Sequence, residues 1–195
     1  MKKSKKYPLK GFIDTHLHTA PDIKPRLLSD IEAASQAKNE QMMGVVIKSH
    51  AEPTSGRAVL ASQVTGFLVW GGVCLNQSMG GLNIQAVKTA AMMGGKVVWF
   101  PTTSRDQIKI NRDQKTEELL EDILTIILEN EMVLATGHLK VEDTFHILDL
   151  AQSMGLSKVM VNHPLTQVVG ASLEEQKEMS RMAYLEHCYV ACLPG

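Results

Sequence analysis

Five histidines in this sequence stand where short apolar runs give out. Asp14-Thr15-His16-Leu17-His18 closes the first run and Lys48-Ser49-His50 the second, while His138 and His163 follow Met132–Thr136 and Lys158–Asn162. Alternate side chains of a strand share a face, so Asp14, His16 and His18 project together, as do Lys48 and His50. Two neutral imidazoles fixed two positions apart on a rigid strand can share one borderline cation, for which zinc wants nitrogen at about 2.0–2.1 Å. His16, His18, His138 and His163 therefore read as ligands of one divalent metal. Zinc comes first, with manganese, iron or nickel as alternatives.

Three neighbours complete the candidate site. Lys48 ends an apolar run and must be paired, desolvated or modified. It reads as a carbamate bridging two metals, as a grip on a substrate anion, or as the partner of Asp14 or Asp22. His50 reads as a ligand or substrate contact, or as a hydrogen-bond partner behind one. Asp14 orients a ligand or accepts a proton. By contrast, His146 lies within a helical pattern and reads as a helix-face residue, and His187 opens the last apolar run and reads as structural.

The elements that must position these residues repeat one pattern, in which short β-branched or aromatic runs alternate with longer stretches of helical period. The runs cover residues 11–16, 44–48, 67–74, 96–100, 132–136, 158–162 and 187–192. Between them, helices are expected from Ser29-Asp30 to Met43, Ser55 to Val64, Ile84 to Met93, Thr116 to Asn130 and Val141 to Met154. A sixth follows the capping-box pattern Ser172-Leu173-Glu174-Glu175. The spacing is about 29 residues per unit, close to that of an eightfold β/α barrel of roughly 250 residues. No G-x-G-x-x-G follows the first run, which argues against a Rossmann sheet. The expected fold is thus α/β, a TIM-like barrel of seven strands with the eighth missing, since that strand would begin near residue ~216. A barrel places its chemistry at the C-terminal ends of its strands, where these histidines stand.

Composition narrows the partners. The 195 residues are 44% hydrophobic and carry 20 Lys plus Arg against 21 Asp plus Glu, a net charge of -1. That balance gives no electrostatic reason to expect nucleic acid or an anionic membrane, and no apolar stretch is long enough to span a bilayer. A small-molecule substrate is expected. Residues 1–10 read as a basic flexible tail and 11–195 as one domain. Cys74, Cys188 and Cys192 are odd in number and lie in apolar runs, so they read as buried thiols of a cytoplasmic protein in preference to Cys188-x-x-x-Cys192 holding a metal. A barrel short of one strand exposes two edges, so self-association into a homo-oligomer is expected. Pro101–Lys115 is long for a β-α connection and reads as a mobile lid. Gly80-Gly81-Leu82-Asn83 reads as an anion cradle or as a plain turn and helix cap. Arg26, Arg57 and Arg105 are candidate anion clamps or surface charges.

Asp14-x-His16-x-His18, His138 and His163 resemble the metal centre of the amidohydrolase superfamily, metal-dependent hydrolases on β/α barrels. Taken with Thr19-Ala20-Pro21-Asp22, Lys48-Ser49-His50, Gly80-Gly81-Leu82-Asn83, Val98-Trp99-Phe100-Pro101-Thr102, Thr136-Gly137-His138-Leu139 and Asn162-His163-Pro164, they resemble an uncharacterised branch of it. The resemblance implies that His16 and His18 bind the first metal and that His138 and His163 complete the site. It also implies a metal-activated water that hydrolyses an amide, ester or lactone. The superfamily's strand-eight aspartate would fall beyond Gly195, and its bridging lysine comes from strand four rather than from the strand that ends in Lys48. A mononuclear site is therefore expected. The alternatives are a metal-binding barrel that does not turn over, and a phosphoesterase.

Overall fold

The computed structural model describes residues 9–189. The basic tail, except Leu9 and Lys10, and Cys192 lie outside the described residues. Eight strand segments run in chain order: β1 (Ile13–Leu17), β2 (Gly44–Ile47), β3 (Val69–Trp70), β4 (Gly72–Cys74), β5 (Val97–Trp99), β6 (Val133–Ala135), β7 (Val159–Asn162) and β8 (Tyr184–Glu186). Every pairing is parallel and joins neighbours in sequence, β1-β2-β3 in one sheet and β4 to β8 in the other. Consecutive parallel order is the barrel's winding, since a doubly wound sheet reverses its order part-way.

The two sheets meet within one run. β3 pairs with β2, and two residues later β4 pairs with β5, so a single strand changes partner at Gly71. Side chains are excluded there. A Cβ on Gly71 would lie 2.4 Å from the Thr54 carbonyl oxygen, and one on Gly72 would lie 1.8 Å from that of Val97. Thr54 stitches the seam, its hydroxyl donating to the Ile47 carbonyl (2.8 Å) and accepting from the Gly72 amide (3.0 Å). The described residues thus form seven barrel strands. Among the described residues no backbone ladder joins β1 to β8, so the barrel is not closed.

Six helices cover the outside: α1 (Asp30–Asn39), α2 (Ser55–Thr65), α3 (Ile84–Met92), α4 (Gln114–Glu129), α5 (Val141–Ser153) and α6 (Leu173–Met179). Ser29 and Ser172 cap α1 and α6 with full capping boxes. α4 starts two residues earlier than the sequence pattern suggests, because the Asp113 side chain accepts from the Thr116 amide and makes Asp113 the cap. α1 ends at Asn39 rather than Met43, where Gln41 turns to positive φ and Met42 and Met43 lead into β2. None of these helices is long and apolar enough to cross a membrane.

The last strand corrects the sequence reading. It spans Tyr184–Glu186, whose residues register against Met160, Val161 and Asn162 of β7; residues 187–189 of the expected run lie past it, and residues 190–192 are outside the described residues. Leu185 packs on the large apolar core there. His187 therefore follows the strand at its C-terminal end rather than opening it, and it lines the central cavity.

Candidate active site

The strand ends bring five imidazoles into one circuit. His16 and His18 leave β1, His50 follows β2, His138 follows β6 and His163 follows β7. Ring centroids lie 5.3 Å apart for His16 and His18, 4.7 Å for His18 and His50, and 6.0 Å for His50 and His138. The circuit closes at 4.8 Å from His138 to His163 and 5.5 Å from His163 to His16. It lines a cavity of about 770 Å³ together with Asp14, Thr166, Glu186 and Cys188.

Neighbouring groups fix which nitrogen of several rings carries the proton. Glu186 Oε2 lies 2.7 Å from His16 Nδ1, and its carboxylate also accepts from Asn162 Nδ2 (2.7 Å) and Thr15 Oγ1 (3.0 Å). Thr166 donates its hydroxyl proton to the His163 carbonyl (2.8 Å), so it accepts from His163 Nδ1 at 3.0 Å. Thr102 Oγ1 accepts from Asn76 Nδ2 (2.8 Å) and lies 2.7 Å from His50 Nδ1. His16 and His163 therefore keep a lone pair on Nε2, the form a metal or a transferable proton requires.

Burial and neighbouring charges hold four of the five rings neutral. Burial, reinforced by the other histidines and by Lys48, pushes His18 and His138 down to about 3 and His50 and His163 down to about 4. Burial alone would raise Glu186, but the hydrogen bonds from His16, Asn162 and Thr15 bring it down to about 2. The buried Lys48 sits behind the circuit, with Nζ 3.2 Å from His16 Nε2 and 5.3 Å from the centre of the Trp99 ring. Burial lowers its pKa as well.

This donor set fits a divalent cation. Four of its imidazoles are held neutral, as coordination demands, and His18 Nδ1 is buried with no hydrogen-bond partner among the described residues. His16, Glu186 and Cys188 also offer three donor atoms within 4.8 Å of one another.

The family model described as Family of unknown function (DUF6282) matches residues 11–186. The chain belongs to DUF6282. No curated protein matches this DUF6282 chain in sequence. Among solved structures it resembles the phosphotriesterase homology protein from Escherichia coli complexed with phosphate in the active site. That match has a TM-score of 0.57 at 14% identity and covers 92% of this chain and 70% of the other. The organophosphorus hydrolase from Deinococcus radiodurans gives 0.55 at 14%, covering 91% and 64%. A third, engineered for organophosphate hydrolysis from a weak promiscuous lactonase template, gives 0.53 at 12%, covering 92% and 78%. The chain spans under two thirds of the Deinococcus enzyme. These likenesses establish the α/β barrel fold for this DUF6282 member.

Within the DUF6282 site, the structure brings together all four histidines expected as ligands, with His50 as a fifth. Among the described residues Asp14 bonds no imidazole; its Oδ1 accepts from the His16 amide (2.9 Å), and Glu186 bonds the His16 ring. Lys48 meets His16 rather than Asp14 or Asp22, and Asp22 pairs with Arg26. Arg57 binds Asp30 and Glu52, and Arg105 donates to the carbonyls of His138 and Val168, so these three arginines are engaged by the protein itself. Asn83 caps α3 after the glycine pair, the turn-and-cap reading. His146 meets Glu117 between α4 and α5, as a helix-face residue should. Glu186 and Cys188 were missed. Cys188 is half-buried beside His16 rather than deep in a core. The signal for Glu186 was the one that found the histidines, a polar residue ending a short strand, but the longer apolar run after it drew the strand boundary past it.

Proposed function

We propose that this DUF6282 protein is a divalent-metal-dependent hydrolase of small molecules that acts on an ester, lactone or amide bond. The observation that carries the reading is the closed circuit of five imidazoles, four of them held neutral, on the wall of a cavity of about 770 Å³. That volume suits a small-molecule substrate. His16, His18, His138 and His163 would hold the cation, zinc by preference. When bound it supplies Lewis acidity for the scissile carbonyl and acidifies water toward ~7.

The chain's own residues do the rest. Glu186 and Thr166 hold the His16 and His163 rings, so that their Nε2 atoms stay basic. With its Nδ1 proton donated to Thr102, His50 would keep Nε2 available to accept a proton from an attacking water and return it to the leaving group. Lys48 adds a cationic or polar group behind His16 that is closed to solvent, so it acts on the imidazoles rather than on substrate. Apolar Phe12, Ile13 and Met42 line the cavity next to the polar wall and would receive the non-reacting part of a substrate. Named activities of the structural neighbours, organophosphorus hydrolysis and a lactonase, are of the same reaction type.

Elemental analysis of protein purified without added metal tests this reading. About one equivalent or more of a transition metal is expected, with the His16→Ala, His18→Ala double variant folded but depleted. Protein that neither contains nor takes up such a metal would overturn it.

A further inference from the structure

Beyond the histidine circuit, three donors of different chemistry converge on the far edge of the His16 ring. Glu186 Oε2 lies 2.7 Å from His16 Nδ1, Cys188 Sγ lies 3.5 Å from the same nitrogen, and the sulfur and carboxylate are 3.8 Å apart. A tetrahedral ion with ordinary bond lengths sets its sulfur-to-nitrogen and sulfur-to-oxygen edges at about 3.6 Å. Two sides of the triangle already have that size. The third is a hydrogen bond that needs to open by about 0.6 Å when an ion takes its place.

The surroundings also suit a cation. All three residues line the cavity, so a coordination position left free by the protein would face the substrate space. Glu186 is pinned by Asn162 and Thr15, which frees it from relying on His16 for its position. His16 presents Nε2 toward Lys48 and Nδ1 toward this triangle, so the two ring nitrogens serve different neighbours.

We propose that His16 Nδ1, Glu186 and Cys188 form a second, thiolate-bearing cation position, with His16 lying between it and the histidine set. It rests on the metal-dependent reading above and adds a soft donor that this reading lacks. Loading displaces the Cys188 thiol proton and the His16 Nδ1 proton to solvent, so that the Cys188 thiolate and Nδ1 of a His16 imidazolate bind this ion while Nε2 of the same ring remains the donor toward the cation of the histidine set. Sulfur in the set favours zinc or cobalt over magnesium or calcium.

Cobalt(II) reports the site directly, because a thiolate ligand gives a ligand-to-metal charge-transfer absorption that imidazole and carboxylate ligands do not. The purified full chain is loaded with cobalt, its cobalt content measured, and its near-ultraviolet spectrum compared with that of Cys188→Ser. The expected result is a charge-transfer band in the wild type that is lost in Cys188→Ser, which still holds cobalt at the histidines. Bound cobalt without the band, or a band unchanged in the variant, overturns the second position and leaves the histidine reading standing. No cobalt uptake by the wild type overturns both. On unmutated protein, bound zinc should slow alkylation of Cys188 by iodoacetamide, read by peptide mass spectrometry. An unchanged rate counts against the proposal whatever the variant does.

Discussion

The two sheets of the barrel are held in different ways. Around β4 to β8, α3 to α6 supply long aliphatic side chains, and Leu120, Ile123, Leu124, Ile127, Leu134, Ile147 and Leu148 are buried in one continuous core. Around β1 to β3 the core is small and built on alanine: Ala34 and Ala37 of α1 and Ala58 and Ala61 of α2, against Val45, Ile47 and Val69. Alanine brings little apolar area to a core. The smaller half compensates with polar contacts. Arg57 grips Asp30 through two hydrogen bonds of 2.8 Å, reaches Glu52 at 2.6 Å and donates to the Thr19 carbonyl at 3.2 Å. One half coheres by burial, the other by charge and hydrogen bonding.

The largest expected effect tests that contrast directly. Arg57→Ala strands the buried Asp30 carboxylate without its partner, and breaking a buried pair costs about 3–5 kcal/mol. Leu124→Ala, in the large core, should cost about 3 kcal/mol from lost burial and the cavity left behind. Urea midpoints at matched m-values measure both. If Arg57→Ala costs under about 1 kcal/mol, as an exposed pair would, the small half is held by its alanines after all.

What the sequence made legible follows from the same division. The strand-end histidines were readable because alternation within one strand is a local property, and each of these imidazoles belongs to one short segment. The joint at Gly71 was not, since a glycine pair within an apolar run does not reveal that Thr54, from another loop, fills the space a side chain would need. Glu186 escaped for a related reason. Its partner His16 lies 170 residues away, and no local period reports a contact made across the open side of the barrel. Asp14, the nearer carboxylate, drew the orienting role that Glu186 fills.

A smaller effect sharpens the comparison from the packing side. Ala34 is fully buried where α1 lies on the small sheet. Enlarging it to valine adds two methyl groups to a space that alanines define, at about 2 kcal/mol. The equal-volume swap Leu134→Ile in the large core should cost less than about 1.5 kcal/mol. Equal losses in the two would mean that the alanine packing is slack, and that close helix approach does not define this half.

The smallest expected effect lies in the large half, at the helix that delivers β8. Ser172 accepts from the Glu175 amide (3.2 Å) while Glu175 accepts from the Ser172 amide (2.7 Å), and residues 180–183 lead from the end of α6 into Tyr184–Glu186. Ser172→Ala removes one arm of that box and should cost about 1 kcal/mol. The strand itself is set by its register on β7 and by Leu185 in the core, so Glu186 should keep its place against His16. The variant is therefore expected to unfold at a lower urea midpoint while binding metal as the wild type does. Weakened metal binding would show instead that the α6 cap reaches the site, so that even the half built on burial leans on a polar contact where it meets the chemistry.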